Sequence, residues 1–172
     1  AGDTTATDLV NDLSEDTLAS LAETTGGDTF PLRLVPAYAP LRDPEGKGLD
    51  RVLPSIARNT DKLSFGIVKL IVDGSIQGFT ARLRWPHYYK PPAGAQENGI
   101  WVIPPQQLRE LLQTYHDAGL TVHIHTNGDE ATDVALDALE AVLAASPRRD
   151  HRHTLQHCQM ADEAQFRRMA AL

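Results

Sequence analysis

Cysteine is nearly absent from this chain, because Cys158 is the only one in 172 residues. A single cysteine excludes an internal disulfide framework and a zinc finger built on cysteine ligands. Long apolar runs are missing too, since no segment approaches the roughly 18 residues of a membrane span. The first residues, AGDTTATDL, do not have the pattern of a secretory signal peptide. We therefore expect a cytoplasmic protein that has no membrane partner.

Positive charge is also scarce, with 16 Lys and Arg against 23 Asp and Glu and a formal net charge of -7. A protein that binds nucleic acid or an anionic membrane surface usually carries the opposite balance. The charge therefore argues against both partners. It leaves a small-molecule substrate open, because the charge of one pocket can differ from that of the whole chain.

Apolar runs alternate with amphipathic segments from residue 30 onward. The runs predict four parallel strands, near residues 30–39, 65–73, 120–125 and 152–157. The segments after them predict helices at 49–58, 105–118 and 130–144, and a last helix that begins at Asp162. A first helix is expected after Ser14, and residues 8–11 before it are expected to form a turn or a helix.

Strands that alternate with helices are typical of an α/β fold with a parallel sheet. A complete TIM barrel, (β/α)8, needs about 250 residues, so four βα units amount to half of one. We predict a partial TIM (β/α)8 barrel of about four central βα units, with residues 1–172 forming a fragment of a single domain. Half a barrel leaves sheet edges open, so a homo-oligomer is also expected.

Two histidines stand at the predicted carboxyl ends of consecutive strands, His125 and His157. In a parallel barrel these ends surround one mouth, where the chemistry takes place. Because neutral imidazole is the commonest side-chain metal ligand, the pair predicts a metal site. His123 and His153 lie deeper in the same strands. His123 is expected to support the ligands or pack in the core, with ligation as the alternative, and His153 is expected to be structural. His116, on a helix, is expected to be exposed.

Lys69 lies in the middle of the apolar segment FGIVKLIVD. A buried lysine is unfavourable unless its charge is paired or removed, and burial lowers its pKa. A neutral amine can act as a nucleophile, form a Schiff base, or react with carbon dioxide to give a carbamate that bridges metal ions. The alternative, a structural ion pair with a carboxylate such as that of Asp73, stays open at this point.

The connection between residues 74 and 105 is too long for a simple spacer, and such loops are often functional. It contains the aromatic residues His87, Tyr88, Tyr89 and Trp101. We take His87 and Tyr89 as candidate substrate-binding residues. The alternative, that these side chains pack the loop against the protein, is equally open.

Three segments together resemble the amidohydrolase superfamily and are most similar to its YtcJ-like branch, amidohydrolase family 3: KLIVDGSIQGFTARL, HIHTNGDEATDVALDALE and HTLQHCQ. The resemblance implies that Lys69 is the carboxylated lysine and that His125 and His157 are metal ligands. It also implies one or two divalent metal ions, expected to be zinc, in the full-length protein. The implied reaction is hydrolysis of non-peptide carbon–nitrogen bonds of a small molecule by metal-activated water.

The chain departs from this family at several points. The H-x-H metal pair of the first strand and the general-base Asp of the last strand have no counterpart here, so no catalytic residue is assigned. Gln156 replaces a Glu, and Thr126-Asn127 replaces the commoner Ala-Ile. We therefore expect the isolated chain to be inactive, with Lys69 unmodified. The alternative function is a non-catalytic half-barrel scaffold that self-associates.

Overall fold

The computed structural model describes residues 2–172. The chain forms two compact units, the first ending at Lys69 and the second comprising Leu70–Leu172. The strands are β1 (Thr5–Asn11), β2 (Arg33–Tyr38), β3 (Ile67–Ile71), β4 (Thr121–Thr126) and β5 (Thr154–His157). The helices are α1 (Glu15–Gly26), α2 (Leu49–Ile56), α3 (Pro105–Asp117), α4 (Asp129–Ala145) and α5 (Glu163–Ala171). A short 3₁₀ turn, Pro40–Arg42, follows β2.

The first unit contains β1, β2 and the beginning of β3, paired in parallel in that order. Tyr38, at the end of β2, pairs in register with Val68 of β3, and both are buried. The Tyr38 hydroxyl donates to Oδ2 of the buried Asp43 at 2.7 Å. This bond ties the end of β2 to the turn that leads into α2.

The second unit contains the end of β3, β4 and β5, again in chain order. The Val72 amide donates to the carbonyl oxygen of His125 at 3.1 Å, and β4 pairs in parallel with β5. Helix α4 buries one apolar face that includes Leu136 and Val142. Because the strands are parallel, their carboxyl ends all lie along one edge of the sheet. Functional side chains at these strand ends can therefore meet there.

The predicted α/β fold of parallel βα units is confirmed, and the four expected strands all form. The first helix begins after Ser14, whose hydroxyl accepts a hydrogen bond from the Thr17 amide as an N-cap. None of the helices within residues 2–172 combines the length and the apolar character that crossing a bilayer requires.

The segment before α1 is the one error in the predicted elements. Residues 8–11 were expected to form a turn or a helix, but they belong to a fifth strand, β1, that pairs with β2. The sequence TATDLVN is half polar and mostly exposed, so it lacks the apolar run of a buried strand. Backbone pairing with β2, which no local pattern reveals, makes it extended.

Candidate metal centre

The two strand-end histidines of the second unit lie side by side. Their strands are in register such that Thr126 of β4 is opposite His157 of β5. The rings of His125 and His157 meet edge to face, with centroids 4.7 Å apart and planes at 72°. The predicted convergence of these two side chains therefore occurs, at the carboxyl ends of neighbouring parallel strands.

Hydrogen bonding determines which nitrogen of His125 is available to a ligand. Its Nε2 lies 3.0 Å from the carbonyl oxygen of Gly74 and 3.6 Å from Oδ1 of Asp73. Both oxygens are acceptors, so Nε2 carries the proton and donates to Gly74. In a neutral imidazole the other nitrogen, Nδ1, then keeps the lone pair that can bind a metal ion.

His157 stands on an unusual stretch of backbone. Its φ is +73° and that of Cys158 is +46°, a left-handed conformation that residues with a Cβ rarely adopt. The Cys158 amide stabilises this turn by donating to the Thr126 carbonyl oxygen at 2.8 Å. Strained backbone of this kind is concentrated at functional sites, where it aims a side chain that an ordinary strand end would direct elsewhere.

A buried carboxylate organises the turns behind this pair. Asp73 is completely buried and accepts hydrogen bonds from three backbone amides, those of Arg82, Asn127 and Gly128, at 2.8 to 3.0 Å. A Cβ on Gly128 would collide with the carbonyl oxygen of Arg82, so the two segments touch at a position that only glycine allows. The Asp-Gly pair after the β3 run was the sequence signal available for this role.

Lys69, the third predicted ligand, belongs to the first unit. It lies at the centre of β3 and is only 3% exposed. Burial lowers the pKa of its ammonium group to about 8, because the charged form loses its hydration. Lys69 is therefore buried, as the sequence predicted.

The loop between Gly74 and Pro104 is held down by two arginines. Arg82 forms a bidentate pair with Glu130, at 3.0 and 3.1 Å. The Arg84 Nε donates to Oδ2 of Asp133 at 2.6 Å. Both acidic residues lie on α4, so the loop is tied to the helix that follows β4.

The aromatic residues of the loop separate into packed and exposed groups. Tyr88 contacts the ring of Phe79, with centroids 5.2 Å apart, and the Trp101 ring stacks beneath the Arg82 guanidinium. Of the two candidate substrate-binding residues, His87 lies with its Nδ1 3.7 Å from a Glu97 carboxylate oxygen. Tyr89 is 86% exposed.

His116 corrects an expectation, because it is buried rather than exposed. Its Nε2 lies 2.7 Å from the Ser146 carbonyl oxygen and its Nδ1 lies 2.9 Å from Nε2 of His153. Helix α3 places the ring on its buried face, although histidine is a polar residue. His153 is held on its other side by the Val122 amide, which donates to its Nδ1 at 3.0 Å, in line with the structural role expected for it.

The donor set suits part of a metal centre. A catalytic zinc site uses about three protein ligands and keeps one position open. Among residues 2–172, no group of three or more His, Cys, Asp and Glu side chains is arranged to hold a metal ion. His125 and His157 are adjacent imidazoles, one with its tautomer fixed by a backbone carbonyl, and they fit two ligand positions.

Parallel βα units with histidines at the strand ends define a partial (β/α) barrel, a fold whose active sites lie at the carboxyl ends of its strands. The chain belongs to the amidohydrolase family, whose model matches residues 3–172. It is 36% identical over 97 residues to Protein LONG AFTER FAR-RED 3 of Arabidopsis thaliana, covering 56% of this chain and 16% of that protein. It is 31% identical over 111 residues to the putative amidohydrolase YtcJ of Bacillus subtilis strain 168, covering 64% and 20%.

Solved structures show the same fold. Uncharacterized metal-dependent hydrolases from Pyrococcus furiosus and Pyrococcus horikoshii OT3 each match 97% of this chain with a TM-score of 0.68 and 22% identity. The chain covers 32% and 31% of those two chains. It thus spans about a third of the solved relatives and no more than 20% of the curated relatives.

Proposed function

We propose that this chain carries part of the metal centre of a hydrolase that cleaves non-peptide carbon–nitrogen bonds of a small molecule. The observation that carries the proposal is the edge-to-face pair of His125 and His157, 4.7 Å apart at the ends of neighbouring parallel strands. Membership of the amidohydrolase family supports the reaction class. A divalent metal ion, expected to be zinc, supplies Lewis-acid chemistry that activates water and polarises a carbonyl group.

The residues of the chain have separate tasks in this proposal. His125 would hold the metal through Nδ1, because its Nε2 proton is directed at Gly74. His157 supplies the second imidazole, aimed by its left-handed backbone. In the full-length protein, Lys69 as a carbamate is the third proposed ligand, an assignment supported by the family resemblance. His87 and Tyr89 are proposed to contact the substrate from the loop.

Metal binding by this chain is the direct test. Titration with zinc, read by competition with a chromogenic chelator, should show binding that His125→Ala and His157→Ala each weaken at least tenfold, since each removes one ligand. His87→Ala is the matched control, because it deletes an imidazole outside the pair and should leave zinc affinity unchanged. Equal affinities in all four proteins would refute the metal centre.

Turnover is tested in the full-length protein that includes this chain. With zinc, it should hydrolyse members of a panel of N-acyl and cyclic amides. His125→Ala should abolish kcat, whereas His87→Ala and Tyr89→Ala should mainly raise KM. A chain that binds no zinc but forms a stable oligomer would instead support the scaffold function.

A further inference from the structure

The side-chain amide of Asn127 is satisfied at one end only. Its Nδ2 donates to the carbonyl oxygen of Gly74 at 2.8 Å, and its backbone amide donates to Oδ1 of Asp73 at 2.9 Å. The residue is 5% exposed, yet its Oδ1 has no hydrogen-bond partner within residues 2–172. A buried unpaired carbonyl oxygen costs about 1–3 kcal/mol, so its presence calls for a compensating role.

The orientation of this amide follows from its neighbours. Reversing it would place Oδ1 against the Gly74 carbonyl oxygen, and two acceptors would then face each other at 2.8 Å. The NH₂ group must therefore point at Gly74. The same nitrogen lies 3.3 Å from Nε2 of His125, so the amide and the imidazole meet at one carbonyl group.

We propose that Asn127 is a positioning residue for His125, acting through the carbonyl group of Gly74. This inference rests on the proposed metal-binding role of His125. A carbonyl oxygen has two acceptor sites, and here Asn127 occupies one and His125 Nε2–H the other. The Asn127 bond holds the carbonyl group in the direction that the imidazole requires. The ring plane and the tautomer of His125 are thereby fixed, with Nδ1 as the ligand nitrogen.

Asp73 stabilises this arrangement by holding the backbone of Asn127. Its Oδ1 accepts from the Asn127 backbone amide at 2.9 Å and lies 3.6 Å from His125 Nε2. The carboxylate thus holds in place the residue that orients Gly74. Outer partners of this kind determine metal affinity by holding the ligand in one orientation.

Asn127→Leu isolates the positioning role. Leucine has a similar size, so the change removes both the unpaired oxygen and the bond to Gly74, and these two effects on stability oppose each other. The matched control is Asn98→Leu. Asn98 is also a buried amide, but it binds the Leu83 amide and Oε2 of Glu130, at 2.9 and 2.7 Å.

The first measurement is the ¹⁵N spectrum of labelled histidine side chains in the metal-free chain. The wild-type chain and Asn98→Leu should show His125 with its proton on Nε2 alone. Asn127→Leu should shift the two nitrogen resonances toward each other, as expected for a mixture of tautomers. In the second measurement, zinc affinity should fall at least tenfold in Asn127→Leu and stay unchanged in Asn98→Leu.

Unchanged His125 resonances in Asn127→Leu would overturn the inference. If the wild-type chain binds zinc, an equal zinc affinity of Asn127→Leu would overturn it as well. A tautomer shift in a chain that binds no zinc would support the positioning of His125 while refuting the metal centre, so the two failures are distinguishable. If Asn127→Leu does not fold, Asn127→Ser replaces it, since serine is too short to reach Gly74. The same expected and contrary results apply to that variant.

Discussion

His153 keeps its hydrogen bonds to Val122 and His116 only as a neutral imidazole. Its Nδ1 accepts from the Val122 amide at 3.0 Å, and its Nε2–H donates to Nδ1 of His116 at 2.9 Å. A second proton would have to sit on Nδ1, facing another N–H. Burial, together with the neighbouring charges of His151 and Arg148, lowers the pKa of His153 to about 3. The hydrogen bonds of His153 therefore stabilise the fold only while its imidazole is neutral, so their contribution to stability depends on pH.

The pH dependence of unfolding tests this residue. The folded pKa of about 3 lies below the ordinary value of 6.5, so His153 contributes stability above pH 6.5 and loses it as the pH falls toward 3. The free energy of unfolding should fall by up to about 1.4 kcal/mol per pH unit in that window. Urea unfolding at pH 7, 6 and 5 measures the slope.

His153→Asn supplies the comparison, because its amide oxygen can still accept from Val122 but does not titrate. Below pH 6.5, the slope of its free energy of unfolding against pH should be smaller than that of the wild-type chain, by the equivalent of about one bound proton. Equal slopes for the two proteins would show that the acid sensitivity arises elsewhere.

Helix α5 depends on its first turn for its place in the second unit. Asp162 and Gln165 form a reciprocal capping box, and Asp162 also accepts from Arg84 at 2.6 Å. Gln165 is 1% exposed, and its Nε2 donates to the Asp129 carbonyl oxygen and to Oδ1 of Asp133, at 2.7 and 2.8 Å. One side chain thus caps α5 and joins it to the first turn of α4.

Replacing Gln165 should therefore destabilise the chain. Gln165→Ala breaks the capping box and removes two hydrogen bonds to part-buried acceptors on α4, so we expect a loss of about 1–3 kcal/mol in the free energy of unfolding. The matched control is Gln106→Ala, at an exposed position of α3 where the side-chain amide donates to Glu110 of the same helix. That variant should stay within about 0.5 kcal/mol of wild type by urea unfolding. Equal losses in the two variants would contradict the proposed joint role.

For the whole molecule, the open sheet edge is the feature with the clearest consequence. Strand β1 spans seven residues and has β2 as its neighbour within the described part of the chain. An exposed strand edge carries unpaired N–H and C=O groups that can accept another strand. Val10, on this strand, is 41% exposed. We propose that the chain self-associates through β1.

Light scattering across a concentration series should reveal a species larger than the monomer. Val10→Lys should shift the equilibrium toward monomer, because a charge on an edge strand opposes pairing with a second copy. Leu53→Lys is the matched control, since Leu53 is 44% exposed but lies on α2. A wild-type chain that stays monomeric at high concentration would contradict the proposal.

The sequence by itself determined the class of fold and the identity of the main candidate ligands. The buried strands were readable because a strand covered on both faces needs a continuous apolar run, as around Lys69. The amphipathic helices were readable from their period and caps. His125 and His157 stood out because a polar ring at the end of such a run has few structural reasons to be there.

Tertiary structure alone decided what those residues do together. The extended form of β1 depends on pairing with β2, and the burial of His116 depends on what packs against α3. The three backbone amides that donate hydrogen bonds to Asp73 lie up to 55 residues away in sequence. The orientation of His125 depends on a carbonyl 51 residues before it. Such contacts join segments that are remote along the chain, and local periodicity contains no information about which remote groups a fold brings within hydrogen-bond distance.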